Sequence, residues 1–322
     1  MPCIESGRAR RGFAPANSPT RSEVPGTITA VAESTRIPQD LVILPVRAVA
    51  SAAYRRFRMR NRTMDHVIST DGTPIAYEVN GAGPPLVLVH GTAIDHTQWS
   101  HLTAELGRHF SVYAVDRRGR GESGDAEPYS IEREFDDVRA VIDAIPGPVG
   151  LLGHSYGALC SLETALLTTN IRKLALYEPP IRTNVEPTYP ASVVDTFSTL
   201  VATGQAESAL LMAYAASETP EATLEILRSR PSWQSRVAAA HTVLREFKAS
   251  ENYHFDPRRF LDLTMPVLLL VGSDSLWVYS SPIEMLNRSL PHSRVAVLPG
   301  QQHEAIDTAP ELFLHEVIRF FR

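Results

Sequence analysis

The chain has 322 residues, 43% of them hydrophobic and 21% charged, with a formal net charge of −5. That is length enough for a domain with a sizeable core, and two cysteines, Cys3 and Cys160, exclude a disulfide framework. No Cys-x-x-Cys pair, no His/carboxylate cluster at metal spacing, no phosphate-cradling Gly-rich loop, no dinucleotide fingerprint and no internal repeat appears, so no cofactor and no metal are expected.

Residues 1–63 are rich in Pro, Ser, Ala and Arg, and their eleven arginines against four acids give +7, leaving −12 for the remaining 259 residues. The acidic body gives no reason to expect nucleic acid or an anionic membrane as partner. For the first 63 residues, three readings compete: a disordered tail, a targeting peptide, and an extension preceding a true translation start at Met64. Arg10-Arg11-Gly12-Phe13 faintly resembles a twin-arginine signal, but Ala14 to Ala30 lacks an apolar core. The run Leu41-Val42-Ile43-Leu44 is too short for a membrane span. A cytoplasmic location is therefore expected.

From Met64 onward the chain alternates. Strands are expected near 66–69, 75–79, 85–89, 111–115, 149–152, 173–177, 267–271 and 294–298. Helical patterns such as Tyr129 to Ile145 and Pro310 to Phe321 separate the later ones. The first strands read as hairpins and the rest as strand–helix units. The expected fold class is thus α/β, an eight-stranded, mostly parallel sheet flanked by helices, with ligands at the carboxyl ends of the strands. Between Pro180 and about Pro257 the pattern becomes helical, with stretches at Val193 to Thr203, Ala206 to Ala216, Pro220 to Arg228 and Ser232 to Lys248.

The segment Gly153-His154-Ser155-Tyr156-Gly157 carries the most chemistry. It places a serine between two glycines directly after the apolar run Val149 to Leu152 and before a helical stretch, Ala158 to Leu167. A strand turning sharply into a helix needs small residues two positions either side of the serine, because the two backbones pass close together. Upstream, the strand Pro85 to Val89 ends at His90-Gly91-Thr92-Ala93, where a glycine lets a backbone N–H turn toward the serine. Downstream, the strand Val295 to Leu298 leads into Pro299-Gly300-Gln301-Gln302-His303.

With Asp116-Arg117-Arg118-Gly119-Arg120-Gly121-Glu122-Ser123 after a strand, and Ala309-Pro310-Glu311 after His303, these landmarks stand in an order that resembles the α/β-hydrolase fold from about Met64 to the C-terminus. The resemblance implies Ser155 as nucleophile, His303 as general base and then acid, and a carboxylate that orients the histidine. It also implies an oxyanion hole from the N–H groups of Thr92 or Ala93 and of Tyr156. In most relatives the acid lies three residues past the glycine ending the seventh strand, and here that position holds Ser275, with Asp274 one residue early. Another branch places it after the sixth strand, where Glu178 stands before Pro179-Pro180. Either strand end can supply the acid. Glu178 is preferred and Asp274 is the alternative.

By the same resemblance, residues of about 181–257 form a helical lid that excludes water and shapes the pocket. Leu210, Leu211, Met212, Tyr214, Trp233, Val237 and Leu244 are candidates to line it or to pack the lid helices together. No cationic residue lies between Arg182 and Arg228, which disfavours a strongly anionic substrate. His154 is expected to point away into the sheet–helix junction, and the Arg117-Arg118-Gly119-Arg120 run to pair with Asp116 and Glu122 in a compact turn. The expected activity is hydrolysis of an ester or related acyl bond of a small, fairly apolar molecule. Carbon–carbon bond hydrolysis, a lyase, perhydrolysis or a non-catalytic ligand-binding role on the same fold are the alternatives. A small molecule is the only partner implied, and the oligomeric state is left open.

Overall fold

The computed structural model describes residues 64–183 and 190–322. The three readings of residues 1–63 lie outside the described residues. Eight strands form one sheet: β1 (Met64–Ile68), β2 (Pro74–Asn80), β3 (Pro85–Val89), β4 (Ser111–Val115), β5 (Val149–His154), β6 (Ile171–Tyr177), β7 (Val267–Gly272) and β8 (Ser293–Leu298). Their spatial order is β1-β2-β4-β3-β5-β6-β7-β8. The β1–β2 and β2–β4 pairs are antiparallel and all others parallel. This is the eight-stranded, mostly parallel α/β sheet that the sequence predicts.

Helices cover both faces. On one side α2 (Ile131–Ala144), α3 (Tyr156–Thr164) and α9 (Trp277–Ser289) bury Phe135, Val138, Leu159, Leu162, Ile283 and Leu286 against inward residues of β3, β5, β6 and β7. On the other, α1 (Thr103–Leu106) and α11 (Pro310–Phe321) join Trp99 in a layer with Leu102, Phe313, Val317 and Phe320. The short α10 (Ala305–Thr308) leads into α11. Strands β5 and β7 are buried along their whole length, which is why they read as unbroken apolar runs rather than alternating ones.

Between β6 and β7 stand five helices: α4 (Ala191–Ala202), α5 (Ala206–Ala216), α6 (Glu221–Ser229), α7 (Trp233–Ala238) and α8 (Val243–Asn252). The single long helix expected from Ser232 to Lys248 is broken, because a 3₁₀ turn at Ala239–Thr242 separates α7 from α8. Phe197, Ala209, Leu210, Ala240 and Val243 make a small core of their own, with Ala93 of the main body inside it. Met212, Val237 and Leu244 pack against that core, so for these three the packing role holds.

Arg117 and Arg120, after β4, fasten this layer down, and the partners of all three arginines there differ from those expected. Arg117 pairs with Glu134 at 2.9 Å and with Glu246. Arg118 pairs with Asp137 at 2.6 Å and Asp71 at 3.0 Å. Arg120 donates to Thr242 Oγ1 at 2.7 Å and pairs with Glu246. Asp116 is instead occupied by the loop before α1, accepting at Oδ1 from the His96 backbone N–H at 2.8 Å and lying 2.7 Å from His96 Nδ1. Long-range partners on α2 and α8 win because buried guanidinium groups need several acceptors, and one turn cannot supply them.

Candidate active site

The parallel register brings the chemistry to one edge. Val89 lies beside Gly153, His154 beside Tyr177, and Gly272 beside Leu298, so the chain leaves β3, β5, β6, β7 and β8 within one cleft. His90, Ser155, Glu178 and the segments 273–276 and 299–304 follow directly.

Ser155 sits at φ 53°, ψ −126°, between β5 and α3. A non-glycine residue held there is strained, and the flanking glycines explain how the turn is tolerated. A Cβ on Gly153 would lie 2.4 Å from the Gly157 carbonyl oxygen, and one on Gly157 would lie 2.3 Å from that of His90. The Ser155 N–H donates to Tyr177 O at 2.8 Å, tying the elbow to β6. Among the described residues Ser155 Oγ has no hydrogen-bond partner, and it faces the cavity.

His303 reaches the same cavity from the loop after β8, and its Nδ1 lies 2.6 Å from Glu178 Oε2. Glu178 is fully buried and itself has a positive φ of 47°. Its other oxygen, Oε1, accepts from the Gly272 N–H at 2.8 Å and from Ser275 Oγ. Ser275, at the position where the resemblance leads one to expect the acid, is thus a donor to the Glu178 carboxylate. Asp274, the alternative, borders the cavity but accepts from Ser273 Oγ at 2.7 Å and has no bond to His303. The His303 ring stacks on Tyr279 of α9, centroids 4.0 Å apart and planes at 16°. Tyr279 carries no signal in the sequence.

Opposite Ser155, the loop after β3 contributes Thr92 and Ala93, the latter at φ 53°. Among the described residues their N–H groups have no hydrogen-bond acceptor. Tyr156 is the first residue of α3, so its N–H has no carbonyl one turn back and sits at the positive end of the helix. His90 holds the loop from behind: its Nδ1 bonds Gly91 O at 2.8 Å, and its Nε2 accepts from the Arg117 N–H at 3.1 Å. Burial, and then the neighbouring Arg117, push the His90 imidazole well below its ordinary value, so it stays neutral.

His154 does not point away into the junction as expected. It lies under the site, with its ring centroid 4.7 Å from that of His303, and it borders the cavity. Asp95, His96 and Asp116 come close enough to share a cation. However, Asp95 Oδ1 accepts from the Thr97 N–H at 2.8 Å, and Asp116 Oδ2 accepts from the Glu122 N–H at 2.9 Å. The three groups fasten the loops after β3 and β4, each within itself and to the other.

The cavity holds about 650 Å³. Leu210 and Tyr214, both expected candidates, line it together with Val243, Phe247, Ile226 and Leu276. Trp233 instead donates through Nε1 to Glu207 at 2.9 Å. Two cations reach the wall, Arg182 and Arg236. Arg236 is matched by Asp307 at 3.4 Å and Glu304 at 3.6 Å.

A sheet of this order with a strained serine and a histidine–carboxylate pair at its carboxyl edge defines the class, and the chain belongs to the alpha/beta hydrolase family, whose model matches residues 86–316. It is 25% identical over 253 residues to a 2-(acetamidomethylene)succinate hydrolase from Mesorhizobium japonicum, covering 74% of this chain and 88% of that one. An alpha/beta hydrolase from Sphaerobacter thermophilus is 32% identical, with a TM-score of 0.69 over 80% of this chain and all of that one. The esterase RhEst1 from a Rhodococcus species is 26% identical, with a TM-score of 0.67 over 80% and 98% of the two chains.

Proposed function

We propose that the protein is a serine hydrolase that cleaves an ester or related acyl bond of a small, fairly apolar molecule through an acyl-enzyme. The single observation that carries this reading is the His303 Nδ1 contact with the buried Glu178 carboxylate at 2.6 Å, in the cavity that also exposes Ser155. A carboxylate at Nδ1 fixes the tautomer that leaves Nε2 free to accept a proton.

In this mechanism, substrate entry brings Ser155 Oγ and His303 Nε2 together, a contact that is commonly long in an unliganded site. His303 takes the hydroxyl proton as Oγ attacks the carbonyl carbon, while Glu178 stabilises the imidazolium. The N–H groups of Thr92 or Ala93 and of Tyr156 hold the oxyanion. His303 then gives its proton to the leaving group, and water, activated by the same histidine, releases the acyl group and restores the serine. The apolar side chains of Leu210, Val243 and Phe247 favour a small hydrophobic group on the substrate. Of the two cations at the wall, Arg236 is matched within the protein by two carboxylates. The hydrolase and esterase activities named for two of the relatives agree with acyl-bond cleavage.

The test is the intact mass after exposure to a small fluorophosphonate, with Ser155→Ala in parallel. One adduct on the wild type and none on the variant is the expected result. A wild type that takes no adduct, yet is folded by circular dichroism, overturns the reading.

A further inference from the structure

Three loops must keep register for the chemistry above: the elbow carrying Ser155, the loop carrying Thr92 and Ala93, and the loop carrying His303. Two buried side chains link them: His154, next to Ser155 on the elbow, bonds to the His303 loop, and Gln98, in the turn after the Thr92 loop, bonds to Gly91 and to His154. Gln98, 2% exposed, accepts through Oε1 from the Gly91 N–H at 3.0 Å. Its Nε2 lies 2.7 Å from His154 Nδ1. His154 Nε2 lies 3.0 Å from the carbonyl oxygen of His303.

The donor directions follow from this set. Because the Gly91 N–H takes the Gln98 oxygen, the Gln98 nitrogen faces His154 and donates, so His154 Nδ1 accepts. The neutral imidazole then carries its proton on Nε2 and donates it to His303 O. Burial first, then the charge that His303 acquires, keep His154 neutral. Its neighbourhood agrees, since the groups facing it are Gln98, His303, Tyr177 and, more distantly, Arg236, and among the described residues no carboxylate hydrogen-bonds to it. A Cβ on Gly91 would come within 3.1 Å of His154 Nδ1, so the oxyanion loop also rests on this ring by packing.

We infer that His154, oriented by Gln98, is a positioning residue. It clamps the His303 loop through a backbone carbonyl and the oxyanion loop through Gly91, setting the distance between base, nucleophile and oxyanion donors without touching substrate. The inference rests on the assignment of Ser155 and His303 as nucleophile and base, and it extends that assignment to residues outside the triad.

Two near-isosteric substitutions separate the clamp from simple filling of space. The amide of Gln reaches about as far as Nε2, so His154→Gln retains a donor to His303 O. The amide of Asn ends near Nδ1, so His154→Asn keeps contact with Gln98 and loses the bond to the His303 loop. With p-nitrophenyl acetate as probe, His154→Asn is expected to lower kcat by roughly 10- to 100-fold with KM changed less than about twofold, the scale of a catalytic group displaced by about an ångström. His154→Gln is expected to keep kcat within about threefold of the wild type. Gln98→Leu, which leaves His154 without its orienting donor, should fall between them. Rates of fluorophosphonate labelling at Ser155 should follow the same ranking. Equal kcat in all four proteins, or equal loss in the Asn and Gln variants, overturns the inference. Wild-type protein that does not label at all overturns the hydrolase reading instead, and the two failures are therefore distinct.

Discussion

The cleft has two halves built by different means. The lower half hangs on strand ends and is set by backbone: Ala93, Ser155 and Glu178 all hold positive φ, and at Ser155 the close approach of Gly153 and Gly157 to neighbouring backbone fixes the turn. The upper half is made of α4 to α8, whose helices pack a small apolar core and are anchored to the body by buried ion pairs, Arg120 with Glu246 chief among them. On the proposed function, the difference separates reaction from selectivity. Strained, over-determined backbone fixes where protons and electrons move, while apolar side chains on helices determine what fits and can vary without disturbing the chemistry.

If the division holds, damage to the lower half should remove rate and leave binding, and damage to the upper half should do the reverse or unfold the layer of α4 to α8. The largest effect is expected from Glu178→Gln, which puts a donor where His303 Nδ1 donates. Acylation should slow by roughly three to four orders of magnitude, the scale of losing a triad carboxylate, measured as burst rate with p-nitrophenyl acetate. Asp274→Asn in the same assay should change the rate by less than about threefold, and a reversed ranking would transfer the acid role to Asp274.

In the anchor between the halves, Glu246→Gln leaves two buried guanidinium groups, Arg117 and Arg120, without their shared carboxylate. Breaking a buried pair from one side costs about 3–5 kcal/mol, so the urea midpoint should drop accordingly. A change of under about 1 kcal/mol would show that the pairs are solvated and that the two halves are joined by apolar contact alone.

A smaller effect is expected from pH. His90 and His154 are held neutral by burial, well below the ordinary value of 6.5. Below that value the unfolded chain takes up protons that the folded chain refuses, so stability falls as pH drops, by up to about 1.4 kcal/mol per pH unit for each histidine. His96, whose value is raised with Asp116 beside it, acts in the opposite sense, stabilising at low pH and losing that contribution as pH rises through its folded value. Urea midpoints between pH 7.5 and 5 should fall for the wild type and fall less steeply for His154→Gln. The mildest prediction concerns the upper half: Phe247→Ala removes an aromatic wall and should raise KM severalfold for an apolar acyl ester while kcat changes less than about threefold.

Much of the lower half was legible in the sequence because its constraints are local. A serine flanked at two positions by glycines reports a close crossing of strand and helix, and the Gly153 and Gly157 clearances show the same crossing in space. Unbroken apolar runs report buried parallel strands, and β3 and β4 fall where the pattern placed them. The upper half was less legible. Four of its helical stretches were visible, but the break at Ala239–Thr242 has no proline or glycine to mark it, and Ala240 there belongs to the small core that the layer shares with Ala93.

What the sequence by itself determined is the order of elements, the strained elbow and the serine and histidine that the fold brings to one edge, since each is specified by neighbouring residues and by the period of burial. What only the tertiary structure decided are contacts between residues far apart in the chain. Glu178 rather than Asp274 meets His303 because β6 and β7 end side by side, and Ser275 then donates to the carboxylate across that gap. The arginines after β4 find acids on α2 and α8 rather than in their own turn, because buried charge must be matched wherever the fold provides an acceptor. His154 bonds the His303 loop directly and is met on its other ring nitrogen by Gln98, fifty-six positions away, and no local pattern encodes a hydrogen bond of that kind.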